Sequence, residues 1–99
     1  MDFSERFALK EQKALKRLGD AVIYHEYDRP SVETFAIVEL DVEHPGEYGA
    51  DTLTEITLSR LSHPNIARND EVTHGNTVYR LTKKIRVEGS LITYSGIEV

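Results

Sequence analysis

The sequence predicts a mostly β fold of the α+β class, in which an N-terminal amphipathic helix packs on a small antiparallel β-barrel or a strongly bent sheet. One helical pattern opens the chain, and five or six strand patterns joined mostly by short turns follow it. No helical crossover separates the strand patterns, which argues against a parallel sheet. The 99 residues predict a single domain, 1–99, with a helix over 3–18, a β-rich part over 21–99 and a mobile loop over 43–52.

The helix over 3–18 is predicted from an apolar arc at 100° per residue. The arc contains Phe3, Phe7, Ala8, Ala14, Leu15 and Leu18. Asp2 and Glu5 resemble a capping box, and Gly19 follows the last turn as a C′ residue. Glu11 departs from the pattern because it lies inside the apolar arc, and we expect it to snorkel to solvent or pair with a basic side chain.

Three strands are predicted next, over 21–26, 34–42 and 54–61. The second alternates clearly and places Glu39, Asp41 and Glu43 in a row on one face, opposite a face of smaller apolar residues. The segment 43–52, with one proline and two glycines, contains hardly any core-forming side chain. We therefore expect an irregular, mobile loop there.

The last thirty residues are typical of a β-meander. A two-residue loop at Gly75 and Asn76 accepts the positive φ that tight hairpins require and predicts two cross-strand pairs, Val72 with Tyr79 and Glu71 with Arg80. A second loop taken at Glu88 and Gly89 likewise predicts Ile85 opposite Ile92 and Lys83 opposite Tyr94.

Composition limits the classes of protein that the chain fits. It has no cysteine and a net charge of −5, so disulfides and thiolate metal sites are excluded. No apolar run approaches the roughly 18 residues of a membrane-spanning helix, and the sequence indicates cytosolic synthesis. Ten acids and one arginine lie within 20–55, while both ends of the chain are slightly basic. This segment is either a solvated acidic face or a surface complementary to a neighbouring copy.

A basic stripe is predicted at period two along the fifth strand, with Arg80, Thr82, Lys84 and Arg86 on one face. It has three interpretations: pairing with acids of adjacent strands, contact with the acidic segment of another copy, or nucleic-acid binding. The overall acidity of the chain weakens the last of these.

The sequence contains no arrangement that indicates catalysis. There is no nucleophile elbow or thiol, the histidines lack metal-ligand spacing, and no glycine-rich loop joins a strand to a helix. The row of Glu39, Asp41 and Glu43 is suited in principle to acid-base work or divalent cations, but charges on an exposed strand edge also prevent unwanted pairing. We therefore predict no catalytic, metal or cofactor site and no enzyme activity.

The C-terminal half carries a resemblance to a known family. The order helix, strands, long loop and meander, with the motifs NDEVTHGNTVYRL over 69–81 and GSLITY over 89–94, resembles the tailed-bacteriophage head-tail joining proteins of the lambda-type tail attachment protein family. Asp70, Gly75, Tyr79 and 91–94 match the acid, hairpin turn, aromatic strand and closing strand of that group. Only the region of the long loop, not its individual residues, matches the family pattern.

The resemblance implies a structural subunit of a virion, made in the cytoplasm of the host bacterium. Copies would be monomeric in isolation and form a ring, of six on assembly, between a head-completion or portal protein and a tail-terminator protein, with no cofactor, membrane or specific nucleic acid. The interface is predicted at Glu39, Asp41, Glu43, Glu47, Tyr48, Asp51, Arg80, Lys84 and Arg86. The alternative is a small nucleic-acid-binding β-barrel in which the basic stripe binds phosphates and Tyr79 and Tyr94 stack on bases.

Overall fold

A computed structural model describes residues 3–46 and 49–99. Its elements are α1 (Phe3–Leu18), β1 (Asp20–His25), β2 (Val32–Gly46), β3 (Gly49–Ser59), β4 (Glu71–His74), β5 (Thr77–Glu88) and β6 (Leu91–Glu98). The strands close into an antiparallel barrel in the order β1-β2-β3-β6-β5-β4. The mostly β fold is therefore confirmed, and of the two predicted architectures the chain adopts the closed barrel.

The barrel interior is filled by one cluster of apolar side chains. Its members come from every strand and include residues with no exposed surface, such as Ile56, Leu58 and Leu81. Because successive side chains of a strand point to opposite faces, alternate residues supply this core. Burial of each large aliphatic side chain contributes about 1.5–3 kcal/mol, which makes the interior the main source of stability.

The first hairpin of the meander has the predicted register. Glu71 pairs with Arg80, Val72 with Tyr79, and His74 with Thr77 across the loop. Gly75 has a φ of 63°, as a two-residue hairpin loop requires. This register is confirmed. It could be predicted from the sequence because it depends only on a local turn.

The predicted register of the second hairpin is wrong. Its loop is Gly89 and Ser90, with φ of 61° at Gly89, so Val87 rather than Ile85 lies opposite Ile92. Two register shifts, between Leu81 and Lys83 and between Lys84 and Arg86, then add residues to β5. Lys84, not Lys83, consequently lies opposite Tyr94.

A serine on β6 completes the hydrogen bonds of the first β5 bulge. The Ser95 hydroxyl accepts a bond from the Lys83 amide at 3.2 Å and donates to the Lys83 carbonyl at 3.3 Å. It also lies 2.8 Å from the Thr82 hydroxyl. The bulge is thus built with its polar groups paired, as buried backbone requires.

The predicted irregular loop over 43–52 is instead largely paired. β2 and β3 run on as an antiparallel ribbon, with Glu43 opposite Thr52, His44 opposite Asp51, and Gly46 opposite Gly49. Residues 47 and 48 lie outside the described part of the chain. A shift in register between Glu39 and Val42, with φ of 53° at Asp41, marks a bulge at the start of this ribbon.

α1 packs against β2 and β3. Leu15 is 3% exposed, whereas Leu18, predicted on the same docking face, is 77% exposed, because it ends the helix just before the chain turns into β1. Ala14 is also exposed, and the side chains of Phe3, Phe7 and Ala8 lie outside what the structure describes. Gly19 has no positive φ, contrary to its prediction as a C′ residue; it is glycine because a Cβ there would lie 2.7 Å from the Ala36 carbonyl oxygen.

Glu11 connects the helix to the β5–β6 turn. Its Oε1 accepts hydrogen bonds of 2.8 Å from both the amide and the hydroxyl of Ser90. The expectation that it snorkels or pairs with a basic side chain is therefore wrong. A Cβ at Gly89 would lie 2.5 Å from the Glu11 carboxylate oxygens, so a larger residue there would displace this side chain, and the φ of 61° itself favours glycine.

A buried carboxylate joins the two loops next to the β1–β4 seam. Asp70, 3% exposed, accepts hydrogen bonds from the Tyr24 hydroxyl and from the amides of Tyr27 (3.3 Å) and Ala67 (2.9 Å). Burial, followed by the bond to Asp70, raises the pKa of Tyr24, so Tyr24 stays a donor across the physiological range. Asp70 thus fixes the segments 26–31 and 62–69 to the barrel.

Replacement of Asp70 by alanine should lower the free energy of unfolding by about 3 kcal/mol, because three donors lose a charged acceptor. Tyr24→Phe removes only one of the three bonds and should cost about 1 kcal/mol. Urea denaturation of both variants measures the difference. Equal losses would show that Asp70 does no more than pair with Tyr24.

Candidate functional site

The most distinctive surface feature is the ribbon that extends from the barrel, residues 40–46 and 49–53, called the arm below. β1 pairs with β2 only as far as Ala36, and β6 pairs with β3 only from Thr54, so in the described residues the two strands of the arm pair only with each other. The molecule measures 48 × 29 × 22 Å. Five to seven residues per strand add roughly 17–23 Å of length, which accounts for the excess of the longest axis over the next.

The sequence over 40–53 contains four acids and neither lysine nor arginine, and three of the acids, Asp41, Glu43 and Asp51, belong to the arm. Asp41 and Glu43 are exposed, as is Glu39 at its base. Of the other predicted interface residues here, Glu47 and Tyr48 lie outside the described residues, and Asp51 is placed by its backbone pairing with His44. Part of the acid-rich segment 20–55 expected from the sequence thus lies on a projecting structure.

The predicted row of Glu39, Asp41 and Glu43 on one face does not form. The bulge at Asp41 inserts a residue, so Glu39 pairs with Glu55 and Glu43 with Thr52. Glu55 and Thr52 are three residues apart and therefore point to opposite faces of β3. Within the described residues, no group of three metal-ligating side chains is present.

The basic stripe of β5 is also broken, by the two bulges described above. Arg80, opposite Ile97, and Arg86, opposite Thr93, share the outer face. Lys84 lies opposite Tyr94, which belongs to the core cluster, and so has the opposite orientation. The prediction that the stripe occupies a single face is wrong, because each bulge adds a residue and reverses the alternation.

Both arginines of the stripe are paired within the chain. The Arg86 Nη1 lies 2.8 Å from Oε1 of Glu55, whose side chain is 4% exposed, and Arg80 lies 3.5 Å from Glu71. Glu55 also faces another acid, Glu39, across the β2–β3 ladder, an arrangement of like charges that is unfavourable without a cation nearby. Arg80 and Arg86 thus each have a carboxylate partner within the chain, as the intramolecular interpretation of the stripe expects.

Lys83 and Lys84 are exposed as well, and they differ from the arginines in their partners. Among the described residues, no carboxylate lies within salt-bridge distance of either ammonium group. The sequence singled out Lys84 as an interface residue but not Lys83, because the bulge that exposes two successive lysines has no local sequence signal. These lysines are the charges on β5 that remain available to a partner.

A groove at one end of the barrel is bordered by the segments 26–33 and 62–65. His63, 8% exposed, lies on its floor, with Nε2 2.8 Å from the Thr34 hydroxyl and its ring 4.7 Å from that of Tyr24. Burial lowers the pKa of His63, against an opposing effect of Glu26. Nothing in the sequence distinguishes this histidine from the other three.

The nucleic-acid alternative loses the residues on which it depended. Tyr79 and Tyr94 are 5% and 6% exposed and belong to the barrel core, so neither ring is available to stack on a base. Arg80 and Arg86 already bind carboxylates of the same chain.

No protein-family model and no curated protein matches this chain. Over the described residues, no helix has the length and apolar character needed to cross a membrane.

Replacement of Arg86 by glutamine should lower the free energy of unfolding by about 2 kcal/mol, because it leaves the buried Glu55 carboxylate facing Glu39 without its cation. Lys83→Gln is the matched control and should change it by less than about 0.5 kcal/mol. Urea denaturation curves give both values. Equal effects would mean that the Arg86–Glu55 pair adds nothing to stability.

The lowered pKa of His63 predicts acid sensitivity. In the unfolded chain His63 takes up a proton near pH 6.5, whereas the folded protein does so only at lower pH. Below about pH 6.5 the unfolded state then binds more protons, and the free energy of unfolding falls as the pH falls. His63→Gln removes this titration and should flatten the dependence of melting temperature on pH between roughly 7 and 5, whereas the exposed His25→Gln should not. A wild-type slope retained in His63→Gln would contradict the assignment.

Proposed function

We propose that this chain is a structural subunit of a phage or prophage head-tail joining ring, connecting the portal vertex of the capsid to the tail. The observation that carries the proposal is the acidic arm projecting from a closed barrel whose β5 carries exposed, unpaired lysines. The resemblance of 69–81 and 89–94 to the tail attachment family supports the same function. In this role the protein acts by its shape and charge.

A ring requires two different complementary surfaces on each copy. The arm is acidic, and the exposed lysines of β5 are basic, so each surface of one copy attracts the other surface of the next. A contact of this kind between unlike patches generates a closed ring when the rotation per copy divides a full turn. Charge complementarity also suppresses incorrect contacts between two arms.

The arm also accounts for the expectation that the isolated protein is monomeric. A two-stranded ribbon is marginally stable in water without further packing. The arm gains partners when neighbouring copies assemble, and assembly at the capsid vertex supplies the local concentration that free subunits lack. On this proposal the ring receives a portal or head-completion protein on one side and a tail-terminator protein on the other.

The nucleic-acid alternative has less support. Two exposed lysines remain on β5 after the arginines are paired, and the chain carries a net charge of −5. Non-specific binding of a nucleic acid strengthens with the number of phosphates neutralised. A salt-dependent affinity for single-stranded DNA in the wild-type protein, lost in Lys83→Glu/Lys84→Glu, would favour the alternative.

Joining of particles tests the proposal directly. DNA-filled heads and free tails of the encoding phage are mixed with the protein, and joined particles are counted by electron microscopy. Lys83→Glu/Lys84→Glu should lower the yield by about tenfold or more, since 1.4 kcal/mol of lost contact energy suffices for that factor. The melting temperature should change little, because neither lysine is paired within the described part of the chain.

Arg68→Glu is the matched control, because Arg68 is exposed and lies in the loop before β4. It should leave joining near the wild-type level. A wild-type protein that joins no particles would overturn the proposed function, and equal yields for all three proteins would remove the lysines from the interface.

A further inference from the structure

Although the barrel is closed, several strands extend past a neighbouring strand in the described structure, among them β2, β3 and β5. β5 pairs with β4 up to Arg80, and Leu81 still exchanges backbone hydrogen bonds with Asn69 and Asp70. From Thr82 to Glu88, β5 keeps β6 on one side and has no strand on the other in the described structure. β2 is similarly unpaired on the β1 side after Ala36.

Unpaired strand edges attract further strands unless their side chains oppose it. The free edge of β5 carries Lys83 and Lys84, which repel an uncharged or basic strand from this edge. The free edge of β2 carries Glu39, Asp41 and Glu43. The charges on each edge therefore oppose its pairing with the same edge of another copy and favour its pairing with the other edge.

The bulges distribute these charges over both faces of each edge. Lys83 lies opposite Ser95 and Lys84 opposite Tyr94, so the two lysines point to opposite faces of β5. Glu39 and Glu43 likewise lie on opposite faces of β2, as their pairing with Glu55 and Thr52 requires. When the edge of β2 from one copy lies beside the edge of β5 from another, acids and lysines can therefore pair on both faces.

The order of strands decides that the two edges meet between copies. In the ring of strands β1-β2-β3-β6-β5-β4, two strands separate β2 from β5 in either direction. β2 and β5 therefore lie across the barrel from each other, and each has its free edge on the side of the short strands β1 and β4. Opposite placement is what a head-to-tail ring requires, since each copy must receive one neighbour and contact the next.

We propose that the free edge of β5, from Thr82 to Glu88, receives the acidic arm of a second copy as an added strand. The inference rests on the proposed function and names the contact that closes the ring. Main-chain hydrogen bonds between the edges supply affinity, and pairing of acids with lysines supplies specificity.

Disulfide trapping tests the contact, and the chain has no cysteine of its own. The variant Glu43→Cys/Lys84→Cys is assembled on heads, oxidised and analysed on a non-reducing gel. Because each copy then carries one thiol on each edge, we expect a ladder of covalent oligomers longer than the dimer. Glu43→Cys/Arg68→Cys is the matched control, with the second thiol away from β5, and should stop at the dimer.

Hydrogen exchange distinguishes an added strand from a contact between side chains alone. On assembly of the wild-type protein, the amides of 82–88 and of the β2 side of the arm should exchange at least about tenfold more slowly, as expected for newly formed ladder bonds. A slowing confined to other segments would overturn strand addition.

Failure of this inference and failure of the proposed function give different results. If the protein joins heads to tails but the ladder of Glu43→Cys/Lys84→Cys does not exceed that of its control, the arm does not bind β5 and the connector function stands. If the wild-type protein joins no particles, both proposals fall. A ladder together with slowed exchange at 82–88 supports the contact.

Discussion

Closure of the barrel depends on a short seam. β1 and β4 pair over only three residues of β1, Ile23, Tyr24 and His25. The carboxylate of Asp70, which immediately precedes β4, accepts a hydrogen bond from Tyr24 of β1. The seam is thus held by side-chain as well as backbone hydrogen bonds, and the same carboxylate binds the Tyr27 and Ala67 amides of the loops on either side. Without this seam the six strands would form an open sheet with two more free edges.

The seam is short because the strands differ greatly in length. β4 has 4 residues, whereas β5 has 12 and β2 has 15. A barrel built from such strands closes over the stretch that all of them share and leaves the longer ones projecting. The arm and the free edge of β5 therefore follow from closure itself. On our proposal, the opposite charges of these two edges allow the arm of one copy to bind β5 of the next.

Charges on the barrel separate into two groups. The Arg86–Glu55 pair holds a buried acid, and its loss would take a cation away from that acid. Lys83, Lys84, Asp41 and Glu43 are exposed and contribute little to the folded monomer. On our proposal, residues that stabilise the fold and residues that contact a second copy are thus neighbours on one strand. The sequence pattern alone does not distinguish the two groups.

The sequence by itself determined the mostly β fold, the boundaries of the meander, and the pairing of Val72 with Tyr79, because alternation and a two-residue glycine loop are local properties of the chain. Tertiary structure alone decided the bulges at Thr82, Ile85 and Asp41, the contact of Glu11 with Ser90, and the pairing of 43–46 with 49–52. Each of these depends on residues distant in sequence or on a register that closure imposes. A single inserted residue reverses the orientation of every side chain beyond it. For this reason the stripe predicted on one face of β5 is divided in the structure: Arg80 and Arg86, each paired with a carboxylate, lie on one face, and Lys84 lies on the other.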